Sequence, residues 1–342
     1  YDVSWNYNQR KKELSIHVKQ TQDLKTTSLF KMPIKIIVDN GEQKEHIIWV
    51  DNLDSVYKIK SDKRPKMVIF NSGQRVPSNL KMQKSVADLK YQLQNASNAL
   101  DRIWAAQELS KKKGRKVVEY ALMEAAKRDL FWAVRSEAYS ALGRLKTNIV
   151  LEDIEWVKRK EVDNRVKRSF IRILKNQKNN LEVSKFLEDI IISDTSYYAI
   201  SDAIRTLAIV DTSKAKPHVD KLLNTDSHND VIRKSALSYL SQVQTASNYM
   251  RLKDLAKYGN FSWPSRPTII YELSKYQKKR PSTFDFILSF FDDNDRFVRM
   301  AVIAQVGNYG SESNYSLLDV MVEKDPVLSI KAKRAKSKIE NR

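Results

Sequence analysis

Cysteine is absent from the chain. That excludes disulfides and thiolate chemistry within it and leaves the compartment open, a periplasmic or cell-envelope address included. Histidine is scarce, with four residues, His17, His46, His218 and His228. None of them stands in an H-E-x-x-H arrangement, so the two-histidine helix that grips zinc is missing. No G-x-S-x-G elbow is present for a serine nucleophile, and no glycine-rich loop for a nucleotide phosphate. Seven glycines and eight prolines are too few for a low-complexity chain. No apolar run approaches the roughly 18 residues of a membrane-spanning helix. What remains is a chain of 342 residues, 42% hydrophobic, with the make-up of a folded protein and room for two domains.

Charge is the one strong compositional bias. Sixty-one Lys and Arg against 41 Asp and Glu give a net charge of +20. A basic excess of this size raises nucleic acid or an anionic surface as a partner. Here it is dispersed. Residues 1–88 carry 16 basic and 10 acidic residues, and the dense clusters are short, as at 10–12, 111–113 and 278–280. The expectation is a solvated basic surface, with nucleic acid the weaker reading.

From Leu100 onward a helical pattern recurs every 32 or 33 residues. Its clearest copy runs from Asp129 through Val134 and Arg135 to Ala138 and Leu142. It holds an acid, an aliphatic five residues on, a cation next to it, and small or apolar residues four and eight past the aliphatic. It returns at Val166, Phe170 and Leu174, at Ala199, Ala203 and Leu207, and at Ile232, Ala236 and Leu240. Further copies lie at Ile269 and Leu273, at Val298, Val302 and Val306, and, frayed, around Ile330 and Lys331. One copy lies upstream at Arg102, Ala105 and Leu109. Positions 0, +4 and +8 share one helical face, so each unit exposes an apolar stripe that only a neighbour can cover. Such a period and signature resemble HEAT repeats, and imply a right-handed solenoid of antiparallel helix pairs.

The acid recurs as Asp129, Glu161, Asp194, Asp293 and Asp325, with Asn260 in the same place once, near the start of each second helix, where an oxygen acceptor can cap free N–H groups. The cation recurs as Arg102, Arg135, Lys167, Arg233, Arg266, Arg299 and Lys331, with Ile200 breaking the series. A repeated arginine can line a ligand groove. The stronger reading is a packing ladder to the acid of an adjacent repeat, because a ligand site is seldom repeated in every unit. On that reading Arg135→Ala costs less stability than Leu142→Ala. The least regular connection, residues 258–267 with Gly259, Pro264 and Pro267, is expected to be a bend or a functional loop, with Trp263 its notable residue.

Residues 1–74 alternate apolar and polar, as at Leu14, Ile16 and Val18, between turn signals such as Asp39, Asn40 and Gly41. Short strands in this order imply an antiparallel β-sandwich. Pro33 suits a strand edge or start. The expected organisation is a sandwich over 1–76, a linker over 77–84 and a helical-repeat domain over 85–342. Tyr1 falls inside strand-like sequence, which leads us to expect an excised or processed fragment.

Several short stretches carry a family likeness. They are Trp5, Asn6 and Tyr7; residues 18–22 (Val-Lys-Gln-Thr-Gln); residues 30–36 (Phe-Lys-Met-Pro-Ile-Lys-Ile); Val68, Ile69 and Phe70; and residues 80–84 (Leu-Lys-Met-Gln-Lys). Tyr91, Gln92 and Leu93 follow, then Asp101, Arg102, Ala105 and Ala106. These and the order of elements resemble the C-terminal part of the aminopeptidase N family of zinc metallopeptidases, the gluzincins, along the whole chain. The resemblance implies a catalytic domain before Tyr1, holding zinc through H-E-x-x-H and a distal Glu, and no catalytic centre, cofactor or metal site in this chain. It implies that the upstream domain is the partner and that the helices cover the active site and help receive a peptide. Arg135, Arg233, Arg266 and Arg299 would then be the candidate contacts for a peptide carboxylate. A protein-binding scaffold derived from an inactive relative is the alternative, and a basic nucleic-acid module the weaker one.

Overall fold

The computed structural model describes residues 1–261 and 263–342, with the side chain of Lys324 outside the description. The chain divides into two compact units, Tyr1–Asn176 and Gln177–Arg342.

The first unit begins with seven strands: β1 (Asp2–Asn8), β2 (Glu13–Lys19), β3 (Met32–Asp39), β4 (Gln43–Val50), β5 (Asp54–Lys60), β6 (Met67–Phe70) and β7 (Lys81–Met82). They form two sheets, ordered β5-β2-β1-β7 and β4-β3-β6. All pairings are antiparallel except β1 with β7, which join through Asp2 opposite Lys81 and Val3 opposite Met82. The expected alternation holds: Leu14, Ile16 and Val18 of one sheet meet Ile34, Ile36 and Val38 of the other in a shared buried core. Pro33 lies in the central strand of the smaller sheet, yet it costs no ladder bond on its outer side. Opposite Trp49 of β4 it has a partner, but β6 pairs only with Ile36 to Asp39, so at Pro33 the strand is still an edge. The short β7 falls inside the stretch expected to be a linker.

Six helices complete this unit: α1 (Val86–Asn95), α2 (Ala99–Leu109), α3 (Lys116–Arg128), α4 (Trp132–Leu145), α5 (Leu151–Lys160) and α6 (Asn164–Ile173). Ser85 opens α1 with a reciprocal capping box, its side chain accepting from the Asp88 N–H while the Asp88 carboxylate accepts from the Ser85 N–H. Helices α1 and α2 pair, as do α3 and α4, and α2, α4 and α6 stack on one another.

The second unit has ten helices among its described residues: α7 (Leu181–Ser193), α8 (Tyr197–Val210), α9 (Thr212–Leu223), α10 (Val231–Gln242), α11 (Ala246–Ala256), α12 (Arg266–Ser274), α13 (Thr283–Leu288), α14 (Arg296–Tyr309), α15 (Tyr315–Lys324) and α16 (Pro326–Glu340). They pair in sequence, α7 with α8 through α15 with α16, and α8, α10, α12, α14 and α16 form a consecutive row. The fold class is therefore mostly α, a small β-sandwich followed by repeated helical pairs.

The repeat register places its residues in the core. The 19 aliphatic, small and Phe positions of the pattern from Ala105 through Val306 are each at most 2% exposed. The last copy needs correction. Ile330 is exposed, and Leu328 and Ala332 take the buried places instead. The cause is local. In α4, α6 and α14 the N-cap stands two residues after the acid, as Phe131, Asp163 and Asp295. In α16 the acid Asp325 is itself the N-cap, accepting from the N–H groups of Val327 and Leu328, with Pro326 in the first turn. The helix starts two residues sooner relative to the acid, and the apolar register moves with it.

Candidate functional site

The repeated cation and acid meet as a ladder within each unit. Arg102 donates from Nε and Nη2 to the two carboxylate oxygens of Asp129, at 2.7 and 3.0 Å. Arg135 does the same to Glu161 at 3.0 and 3.1 Å. Arg266 forks onto Asp293 at 3.0 and 2.6 Å, and Arg299 reaches Asp325 at 3.3 Å. The remaining guanidinium N–H groups turn back to the preceding helix end. Nη1 of Arg135 donates to the carbonyls of Asp129 and Leu130, and Nη1 of Arg299 to those of Asp293 and Asn294. One arginine thus closes the C-terminal turn of its own first helix and binds the next repeat's acid.

The acids do a second job. Asp129, Glu161, Asp194 and Asp293 each accept the N–H two residues ahead, at Phe131, Asp163, Ser196 and Asp295. They fix the turn before the helix, where the sequence pattern placed them as caps of the helix itself. Glu161 has a side chain only 2% exposed, so removing Arg135 would strand a buried charge. On this ground Arg135 is expected to matter as much as Leu142, against the ranking drawn from the sequence.

At Arg233 the ladder changes direction. Asn260 stands where the next acid should be and offers no charge. Arg233 instead binds Asp226 and Asp230 of its own helix connection, at 2.8 and 2.5 Å, and the Leu223 carbonyl at 2.7 Å. The four arginines named as peptide-carboxylate contacts, Arg135, Arg233, Arg266 and Arg299, are therefore each engaged with acids of this chain and lie in separate repeats. Burial pushes the Asp293 carboxyl up, but its hydrogen bonds from Arg266 and the Asp295 N–H hold it below the ordinary carboxylate value.

A second polar centre joins strand and helix in the first unit. Lys84 is buried, and its Nζ donates to the Val68 carbonyl and to Gln92 Oε1, both at 2.5 Å, 5.3 Å from the centre of the Trp104 ring. Gln92 passes the connection on through Nε2 to the Asp101 carbonyl, and the Asp101 carboxylate accepts from Ser72 Oγ and the Gly73 N–H. Burial pushes the Lys84 ammonium down to about 8, against the pull of Asp88 and Asp101. A 210 Å³ pocket opens beside it. The sequence marked this lysine only as the end of the 80–84 stretch, and nothing in its neighbours announces burial.

The irregular loop holds the third centre. Tyr258, Gly259, Phe261, Trp263, Arg266, Asn294 and Asp295 line a hollow of about 390 Å³ in the second unit; Ser262 of this stretch lies outside the described residues. Elsewhere the histidines are scattered: His17 pairs with Asp54, His218 stands 3.7 Å from Glu188, and His228 touches Asn229. Among the described residues no group of three or more His, Asp and Glu is placed to hold a metal ion, and no helix is long and apolar enough to cross a membrane.

The fold is similar to that of aminopeptidase A from Legionella pneumophila, solved in complex with aspartic acid, with a TM-score of 0.64 at 13% identity over 99% of this chain. The chain spans about half of that protein's length, 49%. It has a weaker likeness to the complex of CpcE and CpcF of phycocyanin lyase from Nostoc sp., with a TM-score of 0.41, 15% identity and coverage of 78% of this chain and 98% of that one; so low a score carries no argument. No family model and no curated protein sequence matches the chain. At such identity the likeness shows an aminopeptidase-like fold and nothing finer.

Proposed function

We propose that the chain is the non-catalytic C-terminal portion of a zinc aminopeptidase-like polypeptide of the gluzincin kind, with its helices, of HEAT type, covering the active site and helping to hold the peptide. The observation that carries this reading is the fold likeness to an aminopeptidase, which runs along nearly the whole of this chain and about half of that one. Sandwich followed by helical repeats is also the order that the sequence motifs imply. On this reading zinc and the catalytic groups belong to sequence outside the chain, and the upstream domain is its first partner. The domain division, with a sandwich over 1–76 and repeats over 85–342, is part of the same proposal. The four ladder arginines could receive a peptide carboxylate only by exchanging an acid they already hold, at a cost of several kcal/mol in a buried pair. Carboxylate contacts at these positions are thus the most demanding part of the reading.

One observation favours a second reading, a protein-binding scaffold. Leu130 and Val162 stand almost wholly exposed at successive helix turns of the first unit, beside the half-exposed Phe131, and exposed apolar groups in a row suit a partner surface. The test is a titration of the purified chain with the separately produced upstream region, beside a titration with labelled duplex DNA at near-physiological salt. A saturable complex with the upstream region and weak, sequence-independent DNA binding is expected. Submicromolar DNA binding that discriminates between sequences, without capture of the upstream region, would replace both readings with a nucleic-acid one.

A further inference from the structure

The chain departs from its own repeat rule most sharply between α11 and α12. The corresponding turn between α3 and α4 needs only residues 129–131, whereas here the connection runs over 257–265. It contains Gly259 with φ of +81°, a backbone state that a side chain would strain. It also spends three aromatic residues. Tyr258 and Trp263 are 72% and 62% exposed, and Trp263 lies 5.7 Å from the ring centre of Phe297, itself 51% exposed. Packing of the repeats does not call for any of these rings on the surface.

Most charged groups around the hollow are held in ion pairs. Arg266 stands over the Tyr258 ring at 5.4 Å and is neutralised by Asp293. Arg233 stands over the Phe261 ring at 5.3 Å and is neutralised by Asp226 and Asp230. Arg296 and Arg299 share Asp325. Asp295 is the exception. Its Oδ1 accepts from the Phe297 N–H, and its Oδ2 is buried without a hydrogen-bond partner. The hollow therefore combines exposed ring faces with a carboxylate that no cation pairs directly, in a chain whose net charge is +20. An anion would meet the rings' negative faces and Asp295, whereas a cation gains from both.

We propose that this hollow binds an organic cation, an alkylammonium group held against Trp263 and Tyr258 and drawn by Asp295. The two sources of that chemistry are the lysine side chain of a peptide and a free quaternary ammonium compound. Rings supply attraction without fixing orientation, and the carboxylate supplies the selectivity for charge. Neither source depends on whether the chain belongs to a peptidase.

The test uses the whole chain with its tryptophans labelled as 5-fluorotryptophan, the Trp263 fluorine resonance being the one lost in Trp263→Phe. Three probes are titrated: tetramethylammonium, a short peptide with one central lysine, and the same peptide with norleucine in its place. The expected result is a saturable shift of the Trp263 resonance with the lysine peptide, with tetramethylammonium, or with both, and none with norleucine. A response to the lysine peptide identifies a peptide ligand, and a response to tetramethylammonium alone identifies a small quaternary ammonium. Asp295→Asn keeps an N-cap oxygen for α14 while removing the charge, and should weaken binding about tenfold. Equal affinity in Asp295→Asn, equal response to norleucine, or no shift with either cation at millimolar concentration would overturn the proposal.

Discussion

Removing Arg135 should destabilise the first unit by about 3–5 kcal/mol, as much as emptying a core leucine. The magnitude comes from the partner left behind. Glu161 is 2% exposed at its side chain and is held by both Nε and Nη2 of Arg135. In Arg135→Ala its charge stays buried with one remaining donor, the Asp163 N–H at 2.9 Å. The carbonyls of Asp129 and Leu130, by contrast, lie near solvent and can turn to water at little cost. Neutralising the stranded acid should therefore restore most of the loss. Arg135→Ala with Glu161→Gln keeps an oxygen for the Asp163 N–H and should fall only about 1–2 kcal/mol below the parent. The assay is urea unfolding followed by tryptophan fluorescence. Trp5, Trp49, Trp104, Trp132 and Trp156 all lie in the first unit, so the signal reports on it almost alone. A single variant within about 1 kcal/mol of the parent, or a double variant no better than the single one, would refute the reasoning.

Leu142→Ala and Leu240→Ala, at positions 0% and 1% exposed, should each cost about 2–5 kcal/mol by the same unfolding measurement. Gly307→Ala should cost about 1–3 kcal/mol, because a methyl there would stand 3.1 Å from the Ala335 Cα and push α16 away from α14; circular dichroism melting checks it. Lys84, with its ammonium pushed down to about 8 from 10.5, binds fewer protons folded than unfolded between those values. Stability should rise with pH across that window, with the burial penalty present in full below it, and Lys84→Met should flatten the rise. At the acid end Asp293, held below its ordinary value, contributes stability above that value which is lost as pH falls through the lowered one; Asp293→Asn should make the acid limb shallower.

The helical core was legible because its rule is local and repeated. Val134, Ala138 and Leu142 share one face of a helix at this spacing, and each later copy repeats the pattern. The ladder was half legible: residue types foretold an arginine reaching an acid one repeat on, as Arg266 reaches Asp293. The detail that each acid fixes the turn two residues ahead was not, because it depends on where each helix starts. The same dependence moved the last register from Ile330 to Leu328, through Asp325 acting as its own cap. The burial of Lys84 was invisible, since it is set by how strand and helix close around it, at Val68 and Gln92. The loop at Trp263 was visible as an irregularity, but its unpaired partner, Asp295, comes from the next repeat and no spacing pointed to it.

The central proposal is that this chain belongs to a zinc aminopeptidase-like polypeptide. Its most direct test is hydrolysis of aminoacyl anilides by the polypeptide that carries the chain, measured with and without a chelator and again after deletion of residues 85–342. The account predicts chelator-sensitive hydrolysis that falls when those residues are removed. A polypeptide that binds no zinc and hydrolyses nothing, or one whose hydrolysis is unchanged by the deletion, would contradict it.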